Sequence, residues 1–117
     1  ILLSCINGNL DKEKVSFKNN ASVCVVLASK GYPGNYESGK IIYGLDKIKK
    51  KNVQIFHAGT AVRNTQVITS GGRVLGITAL AKNIKKAVAL VYSIIGKKGI
   101  YFRNMHYRKD IGTRIML

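Results

Sequence analysis

The sequence predicts one α+β domain: a small mixed or antiparallel sheet of five to six short strands, with one main helix over 84–95. Three observations carry that class. Short β-branched segments alternate with Gly-, Pro- and Asn-bearing turns. Only one stretch repeats its apolar residues at helical spacing. The 117 residues suffice for one hydrophobic core and fall short of two.

Taken in order, Ile1 to Ile6 predict the last turns of a helix ending at Asn7-Gly8, where Gly8 supplies a left-handed cap. Asn9 to Lys14 is polar and reads as a linker or turn. Val15-Ser16-Phe17-Lys18 alternates with the period of a half-buried strand, and Asn19-Asn20 suits a tight turn after it. Ser22 to Ala28 is almost continuously apolar, the pattern of a strand buried on both faces. A Gly/Pro loop, Lys30 to Tyr36, follows with the only proline, Pro33. Gly39 to Asn52 reads as an irregular connection with a helical turn near Leu45–Ile48.

Val53 to His57 is the next expected strand. Thr60–Val62 and Gln66–Thr69 flank Arg63-Asn64-Thr65 as a hairpin. Gly71-Gly72 predicts a sharp turn before a strand over Arg73–Ala79. Asn83 is a good N-cap for the main helix, in which Ile84, Val88, Val91 and Ile95 form one stripe. Lys85 and Lys86 oppose the macrodipole in its first turn. Gly96 or Gly99 ends it. Ile100–Phe102 is expected as a last strand, and Met105 to Arg114 as an irregular tail returning to the sheet.

Composition narrows the function classes. The net charge of +15 invites a nucleic-acid reading. Yet 15 of the 20 basic residues are Lys, whereas planar phosphate recognition favours Arg. Asn and Ile are also abundant, and Lys, Asn and Ile share A/T-rich codons, so codon bias accounts for the excess. No apolar run approaches the roughly 20 residues of a membrane span, and the N-terminus has no basic region or cleavage site of a signal peptide. A cytoplasmic protein is expected, and the start within an apolar segment suggests a piece of a longer chain. Cys5 and Cys24 read as small buried hydrophobes, with a disulfide between them left open.

A complete catalytic centre is not legible, and no catalytic or metal residue is assigned. Cys5, Cys24, His57 and His106 lack the close pairing of zinc ligands. Cys24, Ser29 and Ser70 have no local base and acid to activate them. The five carboxylates, Asp11, Glu13, Glu37, Asp46 and Asp110, are unpaired in sequence. Three loops do share a character: Gly31-Tyr32-Pro33-Gly34, His57-Ala58-Gly59-Thr60 and Ser70-Gly71-Gly72-Arg73 each follow an expected strand. Two readings stand. Their glycines open backbone N–H groups to an anion beside Arg73, or they are ordinary turns with glycine at positive φ.

These loops in this order, with Ala21 to Ser29, Val74 to Ala79 and Tyr107-Arg108-Lys109-Asp110-Ile111-Gly112, resemble the C-terminal domain of the phosphoribosylamine–glycine ligase (glycinamide ribonucleotide synthetase) family. The resemblance covers nearly the whole chain. It implies that 1–14 are the end of a preceding ATP-grasp domain plus linker, and 15–117 a substrate-wall domain of an ATP-grasp ligase. The parent reaction it implies belongs to purine biosynthesis. ATP phosphorylates the glycine carboxylate, and the amine of 5-phosphoribosylamine attacks the acyl phosphate to give glycinamide ribonucleotide. ATP and magnesium (or manganese) would bind upstream, and this chain alone would be inactive.

The resemblance makes Arg73 the expected contact for the substrate phosphate, with Gly71 and Gly72 assisting. His57, Gly59, Thr60, Tyr32 and Gly34 would line the same face. Arg108 and Asp110 are expected as an internal ion pair fixing the tail. Departures are the basic linker at Lys47–Lys51 and Lys85-Lys86, where the family is often acidic. The implied partners are the upstream ATP-grasp domains and phosphoribosylamine, with no membrane and no specific nucleic acid. The rival readings are a free-standing basic nucleic-acid-binding module, which needs a broad Lys/Arg stripe, and a purely structural interaction domain, in which the three loops need not converge.

Overall fold

The computed structural model describes residues 1–113, so Arg114, the end of the expected tail, lies outside the described residues. Two antiparallel sheets and one main helix make up the core. β1 (Ala21–Ala28), β5 (Arg73–Ala81) and β2 (Val53–His57) form a three-stranded sheet in the order β1-β5-β2. β3 (Thr60–Arg63) and β4 (Gln66–Thr69) form a separate hairpin. Its two-residue turn, Asn64-Thr65, has φ values of 46° and 63°, the mirror-image geometry that matches strand twist. The hairpin is tied to the preceding connection by Ile42 N–H to the Val67 carbonyl at 2.9 Å and Thr69 N–H to the Lys40 carbonyl at 2.9 Å.

The alternation of β1 and β5 decides which face is buried. Val23, Val25 and Leu27 pair beside Ala79, Ile77 and Leu75, and all six are buried. The α2 helix (Ile84–Ser93) packs on this face with Ala87 and Val91, and Ile94, Ile100 and Phe102 close the core. Each large side chain fully buried here contributes about 1.5–3 kcal/mol. Asn83 caps α2 as expected, its Oδ1 accepting from the Lys86 N–H at 2.9 Å. Gly96, at φ 124°, follows the helix end. At the N-terminus, α1 (Leu2–Ile6) is followed by Gly8 at φ 66° and a 3-10 turn over Leu10–Lys12.

Several expectations are corrected. Val15–Lys18 is not a strand; among the described residues nothing pairs with it, and Phe17 is 94% exposed. Alternation alone cannot hold a strand without a partner ladder. β1 is not buried on both faces. It is an edge strand covered by α2 on one side, so Ser22, Cys24 and Val26 are exposed on the other. Cys5 and Cys24 are free, exposed cysteines rather than buried ones. Ile100–Phe102 makes only the isolated bridges Ile95↔Ile100 and Tyr43↔Tyr101, and Phe102 is held by packing. The strands divide into two sheets rather than one. The tail does return to the sheet, through the Ala28↔His106 bridge.

Candidate functional site

The three glycine-bearing loops converge at one end of the three-stranded sheet. β1 ends in Ser29, whose N–H donates to the Gly72 carbonyl at 2.8 Å and whose Oγ donates to the Gly71 carbonyl at 2.9 Å. Gly59 N–H donates to the Arg73 carbonyl at 2.8 Å, and Ser70 N–H to the Gly59 carbonyl at 2.8 Å. Tyr32 N–H turns back to the Ser29 carbonyl at 3.2 Å. Backbone hydrogen bonds therefore lash all three loops together.

The glycines serve close approach, not positive φ. Of those in the three loops only Gly31, at φ 94°, is left-handed. A Cβ on Gly59 would lie 2.6 Å from the Gly71 Cα and 2.7 Å from the Arg73 carbonyl oxygen. A Cβ on Gly72 would run into the Tyr32 ring. The reading of the loops as ordinary positive-φ turns thus holds at Gly31 and is corrected for Gly59, Gly71 and Gly72. Among the described residues, the Gly71 and Gly72 amides donate no hydrogen bond.

A register shift aims Arg73. The pairing of β1 with β5 slips between Leu27 and Ala28, so that Leu27 faces Leu75 while Ala28 faces Arg73. Regular alternation from Ala79, Ile77 and Leu75 would carry residue 73 onto the helix-covered face. The extra residue, Val74, is itself buried, and Arg73 stands exposed at the cleft instead. Bulges that redirect a side chain recur beside functional sites.

The cleft occupies about 490 Å³ on the sheet face opposite α2. Its floor is Gly76, flanked in one row by Val26 of β1 and Phe56 of β2. Both flanking side chains are half exposed. Tyr32 and Tyr36 form an aromatic wall, with ring centroids 6.4 Å apart and a 60° tilt. Ala58 and Gly72 complete the loop side, and Arg73 is the only charged residue of the lining. An apolar cleft with one guanidinium suits a small ligand carrying one anionic group.

Of the residues singled out from sequence, Tyr32, Gly72 and Arg73 meet in this lining. Gly59 and Gly71 lie behind it as packing partners. His57 and Thr60 bond each other, Nδ1 to Oγ1 at 3.0 Å, outside the lining, and Gly34 is also outside it. Val26, Tyr36, Phe56, Gly76 and the anchoring Ser29 were missed. Strand period could have found Phe56, which shares its face with polar Gln54 while Val53 and Ile55 turn inward. Arg108 and Asp110 do pair, at 2.9 and 2.6 Å, but on the surface rather than internally. The Asp110 carboxylate holds the Arg108 guanidinium above its ordinary pKa. Glu37 is held below the usual carboxylate range, first by its hydrogen bond from Lys40, which lies 3.1 Å away.

Fold and cleft together define a small α+β domain whose glycine loops gather beside a cleft lined by one guanidinium. The chain belongs to the family described as phosphoribosylglycinamide synthetase, C domain, whose model matches residues 22–114. It is 41% identical to a phosphoribosylamine–glycine ligase of Synechocystis over 99% of its own length and 27% of that protein's. It is 44% identical to a bifunctional purine biosynthetic protein of Schizosaccharomyces pombe, over 95% of this chain and 14% of that one. The crystal structure of phosphoribosylamine–glycine ligase from Thermotoga maritima superposes with a TM-score of 0.72 at 27% identity, over 93% of this chain and 27% of that one. The chain thus spans about a quarter, or less, of the length of these relatives.

Proposed function

We propose that this chain forms the substrate-facing wall of a phosphoribosylamine–glycine ligase, an ATP-dependent C–N ligase of purine biosynthesis, and that Arg73 grips the phosphate of phosphoribosylamine there. The observation that carries the reading is the convergence of the three loops on Arg73. Convergence is what a purely structural domain would not require.

In this reading residues 15–117 are the wall domain and 1–14 lead in from an ATP-grasp domain. Arg73 supplies a charge-assisted, two-pronged contact to the phosphate, and the undonated Gly71 and Gly72 amides add partial positive charge beside it. Tyr32, Tyr36 and Phe56 exclude water from the ligand's other side. ATP and magnesium or manganese are assigned to the rest of the ligase. No helix of the described residues is long and apolar enough to cross a membrane.

The test is made in a full-length ligase carrying this domain. Arg73→Ala should raise the KM for phosphoribosylamine on the order of ten- to a hundredfold, because a charge-assisted contact is worth about 1.5–3 kcal/mol. The KM for ATP should hardly change. Arg73→Lys should recover only part of the loss, since a point charge cannot reproduce the planar fork. A variant that melts earlier yet keeps its KM for phosphoribosylamine would assign Arg73 to the turn and not to a ligand.

A further inference from the structure

At the far end of the sheet from Arg73, four chain segments bring lysines together. Lys49, Lys50 and Lys51 precede β2, and the turn there is closed by Val53 N–H to the Lys50 carbonyl at 3.0 Å. Leu80 N–H donates to the Asn52 carbonyl at 2.8 Å, holding that turn against the end of β5. β5 stops at Ala81, so Lys82 emerges at the same place. The chain then enters α2 at Ile84, with Lys85 and Lys86 in its first turn. β1 begins here too, Ala21 facing Ala81, with Lys18 three residues before it.

All of these lysines are exposed. The ion pairs among the described residues, Lys40–Glu37 and Arg108–Asp110, leave them out. Asp46 lies three residues before Lys49 in the chain. Codon bias explains many lysines, but it does not explain their meeting from separate segments at one end of a sheet. Lys85 and Lys86 also sit against the positive end of α2, with no acidic residue in that first turn. An anion docked there would relieve that repulsion.

We propose that this sheet end, built by Lys49, Lys50, Lys51, Lys82, Lys85 and Lys86, is a docking surface for the sugar–phosphate backbone of nucleic acid, read without regard to sequence. The chemistry selects that partner. Lysines are point charges that neutralise phosphates without base readout. A protein partner would require an apolar, charge-depleted centre, which six clustered lysines do not offer. A membrane surface would require an apolar or aromatic stripe among the charges; Ile48 and Ile84, the apolar neighbours of these six lysines in the chain, are turned into the core, and the exposed Val15 and Phe17 belong to the segment before β1, outside the six.

The experiment is a fluorescence titration of a full-length ligase carrying this domain with a labelled oligothymidylate of about 20 nucleotides at several salt concentrations. Six phosphate contacts to a single strand predict a slope of log K against log salt near −4, at about −0.7 per contact. Replacing Lys49, Lys50 and Lys51 together by Gln should reduce that slope by about 2, and Lys85→Gln with Lys86→Gln by about 1.4. The second variant should also melt at a higher temperature in low salt, because it removes the unfavourable charges at the helix start. Loss of binding alongside gained stability cannot come from misfolding. Lys97→Gln with Lys98→Gln, beyond the other end of the α2 helix, should leave the slope unchanged. Equal losses from that control would show diffuse charge rather than a surface. Absence of binding at low salt would overturn the proposal outright. Tighter binding to polyglutamate or to anionic vesicles than to the oligonucleotide would reassign the partner.

Discussion

Gly76 separates stability from function more cleanly than any other residue of the cleft. It lies mid-strand in β5, between Val26 and Phe56, where glycine costs roughly 0.5–1 kcal/mol relative to alanine. A Cβ there would meet Cys24 Sγ at 3.4 Å and Phe56 Cβ at 3.8 Å, which is ordinary contact. Gly76→Ala should therefore raise stability by roughly 0.5–1 kcal/mol in a denaturant melt. Its methyl would also stand on the floor of the cleft, so in a full-length ligase the KM for phosphoribosylamine should rise. A stabilised variant with unaltered KM would mean that the ligand does not reach the floor. Gly59 gives the opposite pattern. Its missing Cβ is filled by the backbone of Gly71 and Arg73, which has little room to move, and Gly59→Ala should lose about 1–3 kcal/mol from overpacking.

Among the elements, those encoded by local chemistry were the most legible. The bounds of β2, the hairpin around Asn64-Thr65 and the capped start of α2 follow from residues within a few positions of each other. Asn83→Ala should cost about 1 kcal/mol by circular-dichroism melting, since its Oδ1 satisfies an N–H of the first turn. Tertiary pairing was not legible. The Val15–Lys18 segment has the strand period but no partner, and β1 has an apolar composition that hides its exposed outer face. The slip in register at Leu27 and Ala28 leaves no trace in composition, yet it turns Arg73 from the core side to the cleft. Consequently the glycines and the arginine could be read as a group from their loops, while the aromatic and aliphatic walls depended on which strand lay beside which. Ser29 shows the same limit. It lacks an acid or base in sequence, and its importance is as a clamp on the Gly71 and Gly72 carbonyls.

The whole molecule divides its chemistry between two ends of one sheet. Arg73 and the apolar cleft occupy one end, and a cluster of lysines the other. Three of the five carboxylates are engaged in local contacts among the described residues. Glu37 pairs with Lys40, Glu13 accepts from Ser4, and Asp110 pairs with Arg108. Exposed apolar side chains accompany this arrangement, with Leu2 and Ile6 of α1 more than four-fifths exposed and Phe56 more than half. In the proposed reading, such surface meets other domains of the ligase. A polypeptide of this sequence alone should accordingly show no ligase or ATPase turnover. The measurement is ADP release with glycine, phosphoribosylamine, ATP and magnesium supplied. The expected signal is the uncatalysed background, because in the proposed reading the nucleotide and the metal are held by the rest of the ligase. Turnover at the rate of a full-length ligase would show that the catalytic groups lie within these residues after all.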